Sequence, residues 1–192
     1  MSLRLSGGRR LQSPSGQTAR PTPSRVRLAL MNILAAELPG CHWLDLCSGS
    51  GVMACEALQR GAAVVVAVDQ DRRHAAVARA NLEAVRTGLS RAARVSVHCA
   101  EMGRWLRRGT QDGFDLIYAD PPYAAGLYPS ICSEVATGGW LKAEGTLLLE
   151  CASSAVPAFS ELPGRWSLRD QRRYGSTTVV LLQPSTASAV EQ

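Results

Sequence analysis

Apolar runs alternate with segments of helical spacing along most of this chain. The short apolar runs that predict strands lie at 43–47, 64–68, 95–98, 115–119 and 145–151. Helical spacing predicts helices at 52–60, 72–87 and 127–137, with one or two further turns around Trp105. The run 64–68 is apolar on both faces, which is typical of a strand inside a parallel sheet covered by helices. The pattern therefore predicts an α/β fold.

The two ends of the chain have a different character. A helix is predicted after Thr22 as N-cap and Pro23 as the first helical residue, with an apolar face that continues up to Pro39-Gly40. Strands at 166–172 and 177–183, joined by a turn at Tyr174-Gly175, must be antiparallel. Residues 1–19 have no period and predict a loop or a short strand pair. We divide the chain into a basic arm (1–21), a domain (22–184) and a tail (185–192).

A glycine turn after the first strand is the first chemical signal. The strand at 43–47 leads through Ser48, Gly49, Ser50 and Gly51 into a helix that begins near Val52. Glycines let backbone N–H groups approach a ligand, and a helix start is weakly positive. We expect Cys47 to contribute to the same ligand site. The spacing also fits a dinucleotide fingerprint, so the loop alone permits NAD as well as S-adenosylmethionine.

Two carboxylates at strand ends favour S-adenosylmethionine. Asp45 lies inside the first strand, where it would repel a phosphate but would suit the amino and sulfonium groups of S-adenosylmethionine. The alternative is that Asp45 only caps the turn. Asp69 ends the second strand and can accept hydrogen bonds from both hydroxyls of a ribose. The alternative for Asp69 is a helix cap, a position for which Asp71 is better placed.

The adenine of the same ligand would be held by residues of the second and third strand ends. Gln70 would lie over the adenine edge, Glu101 could accept from its exocyclic amine, and Met102 offers an apolar edge. An acid at a loop start is also commonly just solvated, so that alternative stays open for Glu101.

The second chemical signal is Asp120-Pro121-Pro122-Tyr123, which follows the fourth strand. Two prolines fix the backbone and end the strand. The Asp120 carboxylate and the Pro121 carbonyl remain as rigid acceptors that suit an amino group on a planar ring, and Tyr123 offers a face on which that ring can stack. We expect these four residues to form the catalytic site.

The positive charge of the chain is concentrated at its start. The net charge is +5, and no acidic residue precedes Glu37. A basic arm of this kind is typical of nucleic-acid binding, although a solvated tail has the same composition. The residues that we expect to contact RNA are Arg4, Arg9, Arg10, Arg20 and Arg25.

Other features argue against several classes of protein. The six cysteines form no C-x-x-C pair and the histidines have no zinc spacing, so we expect free thiols and no metal. The apolar stretch 28–36 is too short to span a bilayer. The acid-poor start could mimic a signal or transit peptide, but its residues are accounted for as part of the enzyme. We expect a cytoplasmic monomer with no membrane partner.

Three motifs together resemble one family. These are Asp45-x-x-x-Gly49-x-Gly51, the Asp120-Pro121-Pro122-Tyr123 quartet and the Arg20-Pro21-Thr22 lead-in to a helix. Their combination resembles the bacterial small-subunit ribosomal RNA guanine-N2 methyltransferases, and the likeness extends from Gly7 to Gly175. The quartet is shared with DNA adenine and protein glutamine methyltransferases, whereas the lead-in is more specific. Cys47-Ser48 departs from the aromatic-alanine pair common in the family, which bears on ligand contacts there.

The resemblance implies a class I methyltransferase fold, which is Rossmann-like and doubly wound. It implies seven strands, mostly parallel with the last antiparallel, and S-adenosylmethionine as methyl donor. It also implies that Arg20 and Thr22 contact this cofactor. The expected substrate is the N2 amine of a guanine in 16S rRNA, of the guanine-966 type, on an assembled or partly assembled 30S particle. The alternatives are a DNA adenine-N6 methyltransferase and a non-catalytic assembly factor that binds S-adenosylmethionine and RNA.

Overall fold

A seven-stranded sheet with helices on both faces forms the protein. The computed structural model describes residues 3–14 and 23–185. The strands are β1 (His42–Leu46), β2 (Val64–Asp69), β3 (Arg94–Cys99), β4 (Phe114–Ala119), β5 (Leu141–Ala152), β6 (Trp166–Tyr174) and β7 (Thr177–Pro184). The helices are α1 (Ser24–Ile33), α2 (Val52–Gln59), α3 (Arg72–Thr87), α4 (Met102–Leu106) and α5 (Tyr128–Thr137). Short 3-10 turns lie at Tyr123–Ala125 and Phe159–Glu161.

The strand order is β3-β2-β1-β4-β5-β7-β6. Strands β1 to β5 pair in parallel, and β7 is antiparallel to both β5 and β6. The predicted doubly wound sheet with its last strand antiparallel is therefore confirmed. The strand order reverses between β1 and β4, and ligands of open α/β sheets bind at the carboxyl ends of the strands at such a switch point.

Each central strand contributes side chains to two cores because both faces of the sheet are covered. Trp43 of β1 packs in the core formed with α1, α2 and α3. Its neighbour Leu44 points to the opposite face, into the core formed with α4 and α5. Both residues are fully buried. This two-sided burial is why β1 and β2 have no polar alternation, and it leaves the strand ends as the place where polar groups can meet.

The structure corrects some predicted element bounds. Pro23 is the N-cap of α1, not its first helical residue, because its ψ of 136° is extended. Helix α1 ends at Ile33 and continues only as turns towards Pro39. Strand β5 begins at Leu141, four residues earlier than predicted, because Leu141 pairs with Phe114 across a register shift. The predicted N-cap Thr22 lies outside the described residues.

Residues 3–14 fold back on the domain as a hairpin closed by a bridge between Arg4 and Arg10. We call this segment the N-terminal hairpin. Its Leu5 is buried in the core beside α1 and α2. The prediction of a short strand pair matches this bridge. The division at residue 22 between arm and domain stays a prediction. No described helix has the length and apolar character that a membrane span requires.

A buried carboxylate fastens the N-terminal hairpin to α2. Glu56 is fully buried, and its Oε1 accepts hydrogen bonds from the Ser6 backbone N–H at 2.8 Å and from Arg27 Nε at 3.0 Å. Its Oε2 accepts from the Ser6 hydroxyl at 2.7 Å. Arg27 also donates to the Arg4 carbonyl at 2.5 Å. The hairpin, α1 and α2 are therefore joined through the Glu56 carboxylate. Its loss would leave the buried Arg27 guanidinium without a counter-charge.

We predict that Glu56→Ala lowers the free energy of unfolding by about 3 kcal/mol, because it leaves the buried Arg27 without its counter-charge. Denaturant titration followed by circular dichroism measures the change. The matched control is Glu83→Ala, which removes a carboxylate paired with Arg86 on an exposed helix face. The control should unfold close to wild type, since exposed pairs contribute little. Equal effects of the two changes would contradict a structural role for the Glu56 cluster.

Candidate functional site

A cavity of about 670 Å³ opens at the carboxyl ends of the central strands. It brings together twelve of the residues predicted to bind cofactor or acceptor, although they come from four separate parts of the chain. These are Cys47, Ser48, Gly49, Ser50, Asp69, Gln70, Glu101, Met102, Asp120, Pro121, Pro122 and Tyr123. Asp45 and Gly51 do not line the cavity. Arg20 and Thr22 lie outside the described residues.

The glycine loop between β1 and α2 needs unusual backbone conformations. Gly49 and Gly51 have φ angles of +55° and +72°. A side chain at Gly51 would also meet Ala78 of α3, whose Cβ lies 3.0 Å from the position of the added Cβ. At Gly49 an added Cβ would meet no atom within 4 Å among the described residues, so its surface is open. Gly51 therefore lets α2 and α3 approach, while Gly49 borders the cavity.

Cys47 has a φ of +60°, which is uncommon for a residue other than glycine. Strained backbone of this kind clusters at ligand sites. Burial, together with the nearby charges of Asp69 and Asp120, raises the pKa of its thiol to about 12. Since a buried thiol with a raised pKa is a poor nucleophile, Cys47 shapes the cavity wall rather than reacting there. The effect of the Asp120 charge on this pKa also indicates that the Asp120-Pro121-Pro122-Tyr123 segment, which we call the acceptor motif, lies close to the glycine loop.

Asp45 lies beneath the loop and is almost completely buried. Its Oδ2 accepts a hydrogen bond from the Ala54 N–H at 3.0 Å, in the first turn of α2. Burial raises the pKa of Asp45 from 3.8 to about 8, while the Ala54 N–H lowers it. This contact supports the interpretation of Asp45 as a cap of the turn. The Asp45 side chain does not line the cavity, so the structure shows no direct contact with a ligand there. Attraction of a cationic ligand by Asp45 therefore stays a prediction.

Asp69 connects β2 to the glycine loop. Its Oδ2 accepts from the Gly49 N–H at 2.7 Å, and its Oδ1 accepts from the Asp71 N–H at 2.8 Å. Asp71 is the N-cap of α3, since its side chain accepts from Arg73 N and His74 N. The helix-cap alternative for Asp69 is therefore wrong. Asp69 retains access to the cavity, and its proposed contact with a ribose stays a prediction.

Glu101 and Met102 stand where β3 passes into α4. Both oxygens of Glu101 accept backbone hydrogen bonds at 2.7 Å, from Gly103 N and from Arg104 N. These bonds lower the pKa of the Glu101 carboxyl. Glu101 is therefore the N-cap of α4, a role that the sequence analysis did not assign. Glu101 also lines the cavity, as Gln70 does, which is compatible with an adenine contact. That contact stays a prediction.

The acceptor motif lies opposite the glycine loop. The Asp120 N–H donates to the Leu46 carbonyl at 3.4 Å, so the β1–β4 pairing continues up to the motif. Pro121 is buried, Pro122 is exposed, and Tyr123 begins a 3-10 turn and is half-buried. The turn ends at Gly126, whose φ is +59°. This geometry holds a carboxylate, a carbonyl and an aromatic ring on one short rigid segment.

Asn81 links the N-terminal hairpin to the glycine loop, a connection that the sequence analysis missed. It lies in α3 and is almost completely buried. Its amide exchanges hydrogen bonds with the Gln12 backbone at 2.8 and 3.0 Å. The same amide nitrogen donates to the Ser50 carbonyl at 2.9 Å. Leu3, Ser13 and Pro14 of the hairpin accordingly line the cavity. A polar residue on the buried face of a predicted helix was the available signal.

Four of the five arginines expected to bind RNA lie on the exposed surface of the N-terminal hairpin and of α1, and Arg20 lies outside the described residues. Arg4, Arg9, Arg10 and Arg25 are exposed. Arg4 donates to the Gly8 carbonyl at 3.0 Å, and Arg9 donates to the Ala84 carbonyl at 2.9 Å. Neither of these two contacts neutralises the charge of the guanidinium. The positive charge of these side chains therefore faces solvent.

The remaining cysteines form no disulfide bond in the described structure. All six are free. Burial raises the pKa of Cys41 and Cys132 to about 12, as it does for Cys47. Within residues 3–14 and 23–185 there is no group of three or more His, Cys, Asp or Glu side chains that could hold a metal ion.

Comparison with known proteins shows to which family this chain belongs. The Cons_hypoth95 family model, described as conserved hypothetical protein 95, matches residues 5–183. The Ribosomal RNA small subunit methyltransferase D of Escherichia coli strain K12 is 30% identical over 176 residues, which are 92% of this chain and 85% of the relative. The chain belongs to this methyltransferase D family. The predicted family resemblance is confirmed.

Solved structures agree with the methyltransferase D assignment. The yhhF protein of Escherichia coli has a TM-score of 0.78 and 29% identity, covering 96% of this chain and 98% of that one. Protein TTHA0928 of Thermus thermophilus has a TM-score of 0.71 and 27% identity, with coverage of 90% and 92%. The methyltransferase SMU.776, crystallised with SAH, has the same fold at 17% identity and a TM-score of 0.63, covering 83% of this chain and 48% of that one. The class I methyltransferase fold is confirmed.

We predict that the stability of this methyltransferase D family member falls with rising pH through Asp45. The unfolded carboxyl ionises near its ordinary value of 3.8, whereas the folded one keeps its proton up to about pH 8. Between these values the folded state binds more protons, so the carboxyl stabilises it at low pH and this contribution is lost as pH rises, by about 1 kcal/mol per pH unit.

The measurement is denaturant unfolding of wild type and Asp45→Asn from pH 5 to pH 8. The asparagine can still accept from the Ala54 N–H but cannot ionise. The wild type should therefore lose stability relative to the variant as pH increases. A difference that stays constant across this range would mean that Asp45 is already ionised in the folded protein, as an attraction for a cationic ligand would require.

Proposed function

We propose that this protein transfers a methyl group from S-adenosylmethionine to the exocyclic N2 of a guanine in small-subunit ribosomal RNA. The observation that carries the proposal is the single cavity lined by both the glycine loop and the Asp120-Pro121-Pro122-Tyr123 segment. A donor in one half and an acceptor amine in the other would meet at the strand ends. The name of the Escherichia coli relative supports the choice of ribosomal RNA.

The glycine-loop half of the cavity fits the methyl donor. The open surface at Gly49 lets a ligand approach the backbone, and the buried Ser48 hydroxyl has no hydrogen-bond partner among the described residues. Asp69 would hold the ribose, while Gln70, Glu101 and Met102 would hold the adenine. S-adenosylmethionine supplies an electrophilic methyl group on a sulfonium. What the protein contributes is its position, because holding two reactants in line is worth roughly 7 to 11 kcal/mol.

The acceptor half fits an amine on a planar base. The lone pair of the guanine amine is delocalised into the ring, which makes it a poor nucleophile. Asp120 and the Pro121 carbonyl would accept its two hydrogens and turn the lone pair towards the methyl carbon. Positive charge that builds on the nitrogen would be stabilised by the Asp120 carboxylate. Tyr123 would stack on the base, which must first leave its helical stack.

The basic surface fits a structured RNA. The N-terminal hairpin and the residue before α1 contribute Ser13, Pro14 and Pro23 to the cavity lining, and the hairpin and α1 also carry exposed arginines. Phosphates bound there would bring the target base to the entrance. We further propose guanine 966 of 16S rRNA as the target, and an assembled or partly assembled 30S particle as the substrate.

The proposal is tested by nucleoside mass spectrometry of ribosomal RNA from a strain that lacks the gene. Loss of N2-methylguanosine at one small-subunit position, restored by the purified protein in vitro, is the expected result. Methyl transfer to DNA adenine in a parallel assay with tritiated donor would favour the amino methyltransferase of DNA instead. Binding of donor and RNA without any product would favour an assembly factor.

We predict that Asp120→Ala lowers kcat by about 100-fold or more, which is the rough scale of removing one preorganised electrostatic contact. Binding of S-adenosylmethionine, measured by calorimetry, should change little, because Asp120 faces the acceptor. Asp112→Ala is the matched control, since it removes an exposed carboxylate from the loop before β4. Unchanged turnover in a folded Asp120→Ala protein would refute the proposed role.

We predict that replacing Arg4, Arg10 and Arg25 together by Gln reduces the salt dependence of RNA binding. Removing one arginine–phosphate interaction should lower the slope of log K against log salt by about 0.7 to 0.9. Deleting the hairpin is a poorer experiment, because Leu5 belongs to the core. Arg172→Gln is the control, as Arg172 lies on β6 and pairs with Asp170. If the triple variant keeps the wild-type slope, these arginines do not bind phosphate.

A further inference from the structure

Glu150 is a buried carboxylate in the acceptor half of the cavity that the proposed mechanism does not use. It lies near the end of β5, within the apolar run 147–151, and is 2% exposed. It also lines the cavity. Burial of a carboxylate is unfavourable unless polar groups compensate for the lost water. The Tyr118 hydroxyl supplies one such polar group, and the position of Glu150 in the cavity lining allows a bound ligand to supply another.

The sheet places Glu150 beside Asp120. Ala119 of β4 pairs with Leu149 of β5 in parallel register, so Asp120 and Glu150 follow at the same level of adjacent strands. The Tyr118 hydroxyl, two residues before Asp120, donates a hydrogen bond to Glu150 Oε2. The Tyr128 hydroxyl donates to the Glu150 carbonyl at 3.0 Å. These contacts fix both the strand and the side chain.

The Tyr128 hydroxyl lies within electrostatic range of the acceptor groups. Burial raises the pKa of the Tyr128 hydroxyl, and the charges of Tyr123, Asp120 and Glu150 raise it further. Asp120, Tyr123 and Glu150 all line the cavity. An ionised carboxylate has about four lone-pair sites, so Glu150 can accept from a ligand as well as from Tyr118.

Guanine carries such a donor next to its exocyclic amine. Its N1–H is adjacent to the carbon that bears the 2-amino group, whereas the ring nitrogen adjacent to the amine of adenine is a bare acceptor. If Asp120 and the Pro121 carbonyl hold the amine, one of the two ring nitrogens beside it, N1 with its hydrogen or N3 with its lone pair, can face Glu150 on the neighbouring strand. A carboxylate there attracts an N–H and repels a lone pair.

We propose that Glu150 accepts a hydrogen bond from the N1–H of the target guanine and thereby selects guanine over purines with an unprotonated N1. The inference rests on the proposed function and names a specificity residue for it. Sites built to hydrogen-bond a substrate N–H can reject an analogue that lacks it by roughly 10⁴-fold or more. The buried position of Glu150 excludes the water that would otherwise weaken this selection.

The test uses RNA in which the mapped guanosine is replaced by 2-aminopurine riboside or by 2,6-diaminopurine riboside. Both analogues keep the 2-amino group but have a lone pair at N1, and they differ from each other only at the 6-position. Wild type should methylate the guanosine RNA with a kcat/KM at least 100-fold higher than either analogue. Comparable rates on guanosine and on both analogues would overturn the proposal without any variant.

The variant Glu150→Gln carries both an amide donor and an acceptor at the same place. We expect its guanosine-to-analogue ratio of kcat/KM to fall at least tenfold, through slower reaction of guanosine and faster reaction of the analogues. Glu144→Gln is the matched control, because Glu144 is an exposed carboxylate of the same strand that does not line the cavity. Its ratio should stay within about threefold of wild type.

Two outcomes separate this inference from the function on which it rests. A Glu150→Gln protein with a wild-type melting temperature and an unchanged ratio would overturn the role of Glu150 while methylation of guanosine RNA continues. Absence of methyl transfer to guanosine RNA by the wild-type protein would instead overturn the proposed function itself. If Glu150→Gln does not fold, the comparison of substrates with wild type still decides whether N1–H is read.

Discussion

The position of the glycine loop depends on two carboxylates that accept hydrogen bonds from its backbone. Asp45 holds the Ala54 N–H at the start of α2, and Asp69 holds the Gly49 N–H at the tip of the loop. Together they span the segment in which Cys47, Gly49 and Gly51 have positive φ angles. Glycines adopt a positive φ readily, but for Cys47 it is unfavourable by itself, so the surrounding structure must impose it. The shape of the donor half of the cavity follows from these two bonds.

The acceptor half is held by different means. Prolines at 121 and 122 stiffen the segment after β4, and the parallel register with β5 sets Glu150 beside Asp120. The two halves therefore do not share a flexible element. Their distance is set by the pairing of β1 with β4, which the Asp120 N–H extends to the edge of the cavity. A rigid sheet edge suits a reaction whose acceleration comes mainly from the alignment of donor and acceptor.

Much of this arrangement could be predicted from the sequence because its signals are local. Each signal is contained within a few residues: the apolar runs of β1 and β2, the glycine turn and the proline pair. The parallel pairing of the strands then brings the strand carboxyl ends together. Helix α3 has the predicted bounds, since Asp71 caps it and Gly88 follows it. Polar residues in the start of β5 gave no such periodic signal, so its early beginning was missed.

The parts that could not be predicted depend on partners far apart in the chain. Asn81 meets Gln12 and Ser50, and Glu56 meets Ser6 and Arg27. Nothing near these polar residues indicates their partners. Asp45 was interpreted through the charge of a ligand, but its burial and its bond to Ala54 were not visible in the strand pattern. These residues share one sequence signal: each is a polar side chain among apolar positions of a strand or helix. Such a residue indicates a tertiary contact but not its partner.

Asn81 connects the N-terminal hairpin and the glycine loop through one side chain. One amide contacts the N-terminal hairpin through Gln12 and the glycine loop through Ser50. If the proposed cofactor orders the loop and the proposed RNA orders the hairpin, this shared amide would couple the two events. Linkage requires the two effects to be equal in free energy, so the order in which the two ligands arrive does not alter their combined affinity.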